Sequence, residues 1–393
     1  MQISTKPLVT VAILAYNNLN FIQDCLDSVL EQDYENIQLI VSDDGTKSFD
    51  SETLEYYINC HKNENIKSVF VHTMPQNSGT SINFNYVLSL AEGKYIKYIA
   101  ADDLFYDVHS LSDLVMAAES ENSNVVIARA PNYDMYLERQ QWIYPSDEHW
   151  AMMKDAARDP KMFFGIMSQF CLISAPATLM NRQLLQKYGG ADEKYRLIED
   201  WPLWMKLLRD NEMFTFLDKS VVIYRSGGVS NGEKHAAYAE HQIEYANVIR
   251  DECLCYPDAM ANKHQYQLAK SSEHTHRFEG ERMLIKEKNI LNKIVFFFRY
   301  LDIYSAKLTE KIRALFWKYQ NSKRDFFMSG IIILTLFSIT DIAALFNAGK
   351  ETFVVIVVRN IGILVGSFYL AVSLCLYTIL IFWRIRNAIF TRK

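Results

Sequence analysis

The chain has 393 residues, 50% of them hydrophobic, and a formal net charge of −5, so it is too long for one ordinary domain and long enough to bury a sizeable core. The charge is uneven: residues 1–281 carry a balance of −16, residues 282–324 one of +8, and the remainder +3. The acidic front argues against nucleic acid as a partner, and the six cysteines show no paired metal-ligand spacing, which suits a reduced compartment with structural thiols.

In chain order, Leu8 to Leu14 is a short β-branched run, and Asn20 to Gln32 sets Phe21, Cys25, Leu26, Val29 and Leu30 on one helical face. Strands at Ile37 to Val41, Ile66 to His72 and Tyr95 to Ala101 alternate with helices at Ser51 to Cys60 and Asn83 to Ala91. A helix over Asp107 to Glu121 and a strand at Val125 to Arg129 follow. Ala130 to Ser174 is rich in Trp, Tyr, Met and Phe with weak periodicity, which suits an acceptor pocket or plain packing. A strand at Ala177 to Met180, helices from Arg182 and over Asp200 to Asn211, a strand-like run at Phe214 to Tyr224 and a polar, largely helical stretch from Ala236 to about Lys288 come next. Strands spaced by helices in this way predict a doubly wound, mainly parallel sheet covered on both faces. Its ligand crevice belongs at the strand carboxyl ends, on the loops Ala15 to Asn18, Ser42 to Thr46, Thr73 to Thr80 and Asp102 to Tyr106.

From Asn289 to Tyr319, six Lys and Arg residues interleave with aromatic ones, a composition suited to the headgroup region of an anionic leaflet. Phe326 to Phe346 and Phe353 to Trp383 are each long enough to cross a hydrocarbon core of about 30 Å. Positive residues flank the pair on both sides, Lys323 and Arg324 before it and Arg384, Arg386, Arg392 and Lys393 after it, which predicts a transmembrane hairpin with both ends in the cytoplasm.

Two acidic positions stand out. The segment YIKYIAADDLFY, Tyr95 to Tyr106, runs an apolar strand into Asp102 and Asp103. Acids at that edge can hold a divalent cation and, through it, a diphosphate, although two Asp after a strand also make an ordinary solvated turn. In IEDW, Ile198 to Trp201, Asp200 stands before an apolar helix, where it serves as an N-cap, as a general base, or as both.

Four segments in order, VTVAILAYNN, LIVSDDGT, QNSGTSINFNYVLSLAEGKYIKYIAADDL and GGADEKYRLIEDWPLWMKLL, resemble glycosyltransferase family 2, with its GT-A nucleotide-sugar fold, over about Pro7 to Gly232. The similarity is nearest to bacterial enzymes that build capsule, O-antigen or other surface polysaccharides. It implies an inverting transfer of a sugar from a nucleotide-diphosphate donor, expected to be a UDP-sugar, to a hydroxyl of a lipid-linked glycan. By the same resemblance Tyr16 lies beside the nucleobase, Asp44 accepts a hydrogen bond from it, Asp43 braces that loop, and Asn77 and Gly79 cover the nucleotide. Asp102 matches the last acid of the DxD signature and would bind Mn2+ or Mg2+; the first acid is Ala100 here, which leaves Asp103 as its substitute on the donor side. Asp200 is the implied general base, with Glu199 orienting base or sugar. Arg225 is expected to reach phosphate oxygens and His235 to complete a metal shell.

Three regions are therefore expected: a GT-A catalytic domain over residues 1–232, a helical region with basic aromatic membrane-surface helices over 233–325, and the hairpin over 326–393. They would lie at the cytoplasmic membrane, the catalytic domain on the cytoplasmic side, with membrane lipids as partners. Transfer to polyprenyl phosphate is the nearest alternative, and Ala100 keeps open a non-catalytic membrane scaffold of a polysaccharide assembly complex.

Overall fold

In the computed structural model, which describes residues 6–134, 139–226, 237–285 and 288–319, the chain divides into two compact units, residues 1–281 and 282–393. The strands are β1 (Val9–Ala15), β2 (Ile37–Asp43), β3 (Ile66–Thr73), β4 (Tyr95–Ala100), β5 (Leu104–Phe105), β6 (Val125–Asp134), β7 (Arg139–Tyr144), β8 (Thr178–Asn181), β9 (Phe214–Ser220) and β10 (Val222–Arg225). The helices are α1 (Ile22–Leu30), α2 (Ser51–His61), α3 (Thr80–Leu90), α4 (Ser110–Ser120), α5 (Asp147–Ala156), α6 (Pro160–Met167), α7 (Arg182–Lys187), α8 (Trp201–Arg209), α9 (Tyr238–Val248), α10 (Lys263–Leu284), α11 (Ile290–Arg299) and α12 (Leu301–Tyr319).

Among the described residues the sheet is mixed, with five parallel and four antiparallel strand pairings. β3, β2, β1 and β4 pair in parallel in that order, because helices carry the chain back between them. β8 then enters antiparallel between β4 and β6. The β6–β7 hairpin reverses the chain, and α5 and α6 then return it to the sheet in the direction of β7, so β8 runs opposite to β6. β6 pairs in parallel with β9 and β10 and antiparallel with β7, so the aromatic-rich middle is a hairpin followed by two capped helices. Ser146 caps α5 through the His149 amide, and Asp159 caps α6 with Pro160 at its first position.

Alternate residues of the same strands serve two cores. Val9, Val11 and Ile13 pack with residues of α1, α2 and α4, whereas Ala12, Ile40, Ile96 and Tyr98 pack with α3, α6 and α8. That division explains why β1 reads as an unbroken apolar run, since both of its faces are covered.

In the second unit, Asn289 caps α11 through the Asn292 amide, and the chain breaks at Tyr300 before α12. The expectation of a protein at the cytoplasmic membrane is corrected here: among the described residues no helix is long and apolar enough to cross a membrane. α12 has 19 residues, yet Asp302, Lys307, Glu310, Lys311, Arg313 and Lys318 interrupt it. Both stretches read as a hairpin, 326–346 and 353–383, lie outside the described residues.

Candidate active site

The registers Ala15↔Asp43, Leu14↔Ala100 and Asp43↔Thr73 bring the loops after β1, β2, β3 and β4 to one edge of the sheet. In the first loop Asn17 adopts φ 54°, and its amide donates to Thr46 Oγ1 at 2.9 Å. Asn18 then bridges: its Oδ1 accepts from the Tyr16 amide at 3.0 Å and its Nδ2 donates to Asp102 Oδ1 at 2.9 Å. Tyr16 remains 46% exposed, so its ring is open to a flat partner.

After β2, the two carboxylates do different work. Asp43 Oδ2 accepts from the Thr46 amide at 2.7 Å and from Thr73 Oγ1 at 2.8 Å, which braces its own turn. Its Oδ1 is buried without a hydrogen-bond partner among the described residues. Asp44 holds the loop after β3: its oxygens accept from the Ser78 amide at 2.7 Å and the Gly79 amide at 2.8 Å. Burial pushes the Asp44 carboxyl upward, and those two amides partly offset it. Gly45 is required beside it, since a Cβ would stand 2.5 Å from the Gln76 carbonyl carbon. Asn77 Oδ1 accepts from the Arg196 guanidinium, which joins this loop to the segment before the acid pair.

At the end of β4, Asp102 and Asp103 part company. Asp102 is partly exposed, whereas Asp103 is 1% exposed and faces inward. Asp103 Oδ1 accepts from the Arg225 amide at 2.9 Å, and Oδ2 is buried without a hydrogen-bond partner among the described residues. Burial first, and then the neighbouring Asp102 charge, raise its carboxyl well above the usual range. Arg225 is 7% exposed. Its guanidinium donates to Asp24 Oδ2 at 2.7 Å and to the Asp102 carbonyl at 3.0 Å, and lies 4.8 Å from the Phe21 ring centre. The arginine thus braces the turn that carries Asp102. Beneath it Lys97 is wholly buried, and its Nζ donates to the carbonyls of Tyr98, at 2.8 Å, and Pro176. Burial pulls Lys97 down to about 7, and a neutral amine has the two N–H groups these carbonyls need.

Among the described residues no group of three or more His, Cys, Asp or Glu side chains is arranged to hold a metal ion. A hard divalent cation would find one outward-facing carboxylate at this edge, that of Asp102. Asp103, turned inward, is not brought to that position.

The acid pair stands at the head of α8. Asp200 Oδ1 caps the helix by accepting from the Trp201 amide at 2.7 Å, and Oδ2 lies 3.8 Å from Cys171 Sγ. Both acids are partly exposed at their rims. Burial raises Asp200 to about 6, whereas burial and the adjacent Asp200 charge raise Glu199 to about 8. Around them the Tyr144 hydroxyl donates to the Cys171 carbonyl, and the Tyr245 ring meets Trp201 edge to face at 5.2 Å. The Cys171 thiol and the Tyr144 and Tyr245 phenols are held protonated, by burial first.

Residues 227–236, including the glycine-rich loop and His235, lie outside the described residues. Sequence reasoning passed over Asn18, Arg196, Asp24, Cys171 and Glu244. Asn18 had a signal, as it sits in a strand-end loop; Asp24 and Glu244 had none, since each is one polar residue on a helix.

Residues 10–189 match the family model described as glycosyl transferase family 2. The chain is similar to an uncharacterized glycosyltransferase of Rickettsia typhi, 26% identical over 224 residues, 56% of this chain and 64% of that one. It is also similar to the uncharacterized glycosyltransferase EpsJ of Bacillus subtilis, 26% identical over 220 residues, 56% of this chain and 61% of that one. It therefore spans less than two thirds of the length of these curated relatives. Among solved structures it is similar to S. aureus TarS 1-349 in complex with UDP-GlcNAc, with a TM-score of 0.49 and 16% identity, covering 73% of this chain and 83% of that one.

Proposed function

We propose, from the match of residues 10–189 to the glycosyl transferase family 2 model and from the mixed α/β sheet, that the whole protein is an inverting transferase that moves a sugar from a nucleotide-diphosphate donor, a UDP-sugar, to an acceptor hydroxyl. The observation that carries the reading is the acid pair at the head of α8. One oxygen of Asp200 is fixed by the Trp201 amide, while the other lies 3.8 Å from the weak donor Cys171 Sγ. Two acids whose environments push them apart, Asp200 to about 6 and Glu199 to about 8, give an ionised base beside a protonated neighbour at neutral pH.

In the proposed step the acceptor hydroxyl gives its proton to Asp200 Oδ2, and its oxygen forms the new bond to the anomeric carbon. The bond from that carbon to the diphosphate oxygen breaks on the opposite face, so configuration inverts and the electron pair leaves with the nucleoside diphosphate. Glu199, protonated, is suited to donate a hydrogen bond to the sugar or to the base. A Mn2+ or Mg2+ ion on Asp102 would supply Lewis-acid stabilisation of the departing diphosphate. Tyr16, exposed at the same sheet edge, suits stacking on the base, while Asp44, Asn77 and Gly79 shape the loop around the nucleotide and Arg225 holds the Asp102 turn. The acceptor class rests on the motif similarity to surface-polysaccharide enzymes: a hydroxyl of a lipid-linked glycan in capsule, O-antigen or exopolysaccharide assembly.

The test is nucleoside diphosphate release by purified protein across a panel of nucleotide sugars with Mn2+ and acceptor glycans. Turnover with one donor and its loss by a factor of about 10^4 in Asp200→Asn are expected. No release with any donor would overturn the proposal.

A further inference from the structure

Glu244 lies on α9, beyond the family-matched residues 10–189 and outside every sequence motif. Its side chain is 9% exposed, and it points at the segment that leads into the acid pair. Glu244 Oε1 accepts from the Arg196 amide at 2.8 Å, and Oε2 accepts from the Leu197 amide at 2.8 Å. Two consecutive backbone N–H groups converging on one carboxylate form an anion-holding nest, and such charge-assisted bonds are about twice as strong as neutral ones.

The same segment is held from its other side. Ser81 Oγ donates to the Tyr195 carbonyl, and the Ser81 amide donates to the Arg196 carbonyl at 3.4 Å. The Tyr195 hydroxyl reaches Glu252 Oε1 at 3.4 Å in the turn that continues from α9. So the amides of Arg196 and Leu197 are anchored by α9, and the carbonyls of Tyr195 and Arg196 by the start of α3. Only Ile198, itself 2% exposed, separates this clamp from Glu199, and Asp200 is then pinned to the head of α8. One residue spans at most about 3.6 Å, so the clamp leaves the acid pair almost no slack.

We propose that Glu244 is a positioning residue for the acid pair, acting through the backbone of Arg196 and Leu197 without touching substrate. The inference rests on the transferase reading above for its kinetic consequence and on the backbone geometry alone for the clamp. It explains why a carboxylate is used: Gln at this position keeps the volume but has one acceptor oxygen, so one buried amide would face an NH2 group.

Glu244→Gln in the full chain tests it, with hydrogen–deuterium exchange over residues 194–201 and steady-state kinetics read together. Protection should fall at the 196–197 amides and carry into 198–201, with the rest of the chain unchanged. On the kinetic side kcat should drop about 10- to 100-fold, the cost of a misplacement on the order of 1 Å, while donor KM moves by less than about threefold. Unchanged exchange would overturn the clamp. Lost protection with wild-type kcat would overturn the positioning role, as would exchange raised throughout the chain, which would mark a merely structural glutamate. If wild-type protein releases nucleoside diphosphate from no donor, the transferase reading fails by itself, and the exchange data still decide the clamp. If Glu244→Gln does not fold, wild-type exchange decides instead: 196 and 197 amides exchanging as fast as open loop would overturn the proposal, and slow ones uphold it.

Discussion

Gly79 links the two halves of the candidate site, and replacing it with alanine puts that link to a quantitative test. It precedes α3 with φ 99° and ψ 160°, a conformation essentially confined to glycine, and holding another residue there costs about 1–3 kcal/mol. An added Cβ would also stand 2.6 Å from the Arg196 carbonyl oxygen and crowd the Arg196 Cγ. Overpacking of that kind costs about 1–3 kcal/mol more. Gly189 supplies the comparison, because it too has a positive φ, 78°, but nothing lies within 4 Å of an added Cβ. Gly189→Ala should therefore cost only the backbone term, about 1–2 kcal/mol. At about 2–4 °C per kcal/mol for a domain of this size, Gly79→Ala should melt roughly 5–20 °C below wild type and Gly189→Ala roughly 2–8 °C below it. The same displacement moves the Arg196 segment and the acid pair behind it, so Gly79→Ala should also lose about 100-fold in kcat, whereas Gly189→Ala should keep wild-type turnover. Thermal melts and turnover assays on the three proteins decide the matter. Melting temperatures of the two variants within about 1 °C of each other, with full turnover in Gly79→Ala, would refute the close approach of donor loop and acid-pair segment as a constraint.

The pH dependence of turnover follows from the acid pair. Asp200 must be ionised to accept a proton and titrates at about 6, so kcat should fall by about tenfold per unit as the pH drops below that value; a flat profile down to pH 5 would reject it as the base. Asp102→Ala should weaken metal-dependent nucleotide binding by about 10-fold or more, read by calorimetric titration of the nucleoside diphosphate with and without Mn2+; equal metal enhancement in the variant would exclude Asp102 as the ligand. Lys97 gives a stability signature. Its folded value of about 7 lies below the ordinary value of about 10.4, so the unfolded chain binds more protons between those limits and stability from this group rises with pH across that window, by at most about 1.4 kcal/mol per unit. It is lost as the pH falls towards 7. Lys97→Met should remove the rise, and denaturant melts at pH 7 and 9 that show the same wild-type-to-variant difference at both would disprove it.

Much of this protein was legible along the chain, and the reason is local. The strands β1 to β4 and helices α1 to α4 announce themselves through side-chain periodicity, because a strand alternates its residues between two covered faces and a helix gathers its apolar residues on one stripe. The same holds for Asp200, whose place before the apolar run of α8 marks it as a cap whatever else it does. What periodicity does not carry is direction and partnership. β8 pairs antiparallel with both β4 and β6 although its four residues read like any other short strand. Arg225 reads as a free cation near phosphates, yet it closes an ion pair with Asp24, 201 positions away in sequence. Asp102 and Asp103 are adjacent and chemically identical, but one lies at the sheet edge and the other is buried against the Arg225 amide, since the chain turns there with the Asp103 amide donating to the Ala100 carbonyl. Glu244 is a polar residue on a polar helix until α9 is laid against the Arg196 segment. The sequence by itself determined the local elements and the acid-bearing strand and helix ends. Which carboxylates face outward, which are spent on bracing, and what holds the acid pair in place were decided by tertiary packing, because those outcomes depend on contacts between segments that no local pattern encodes.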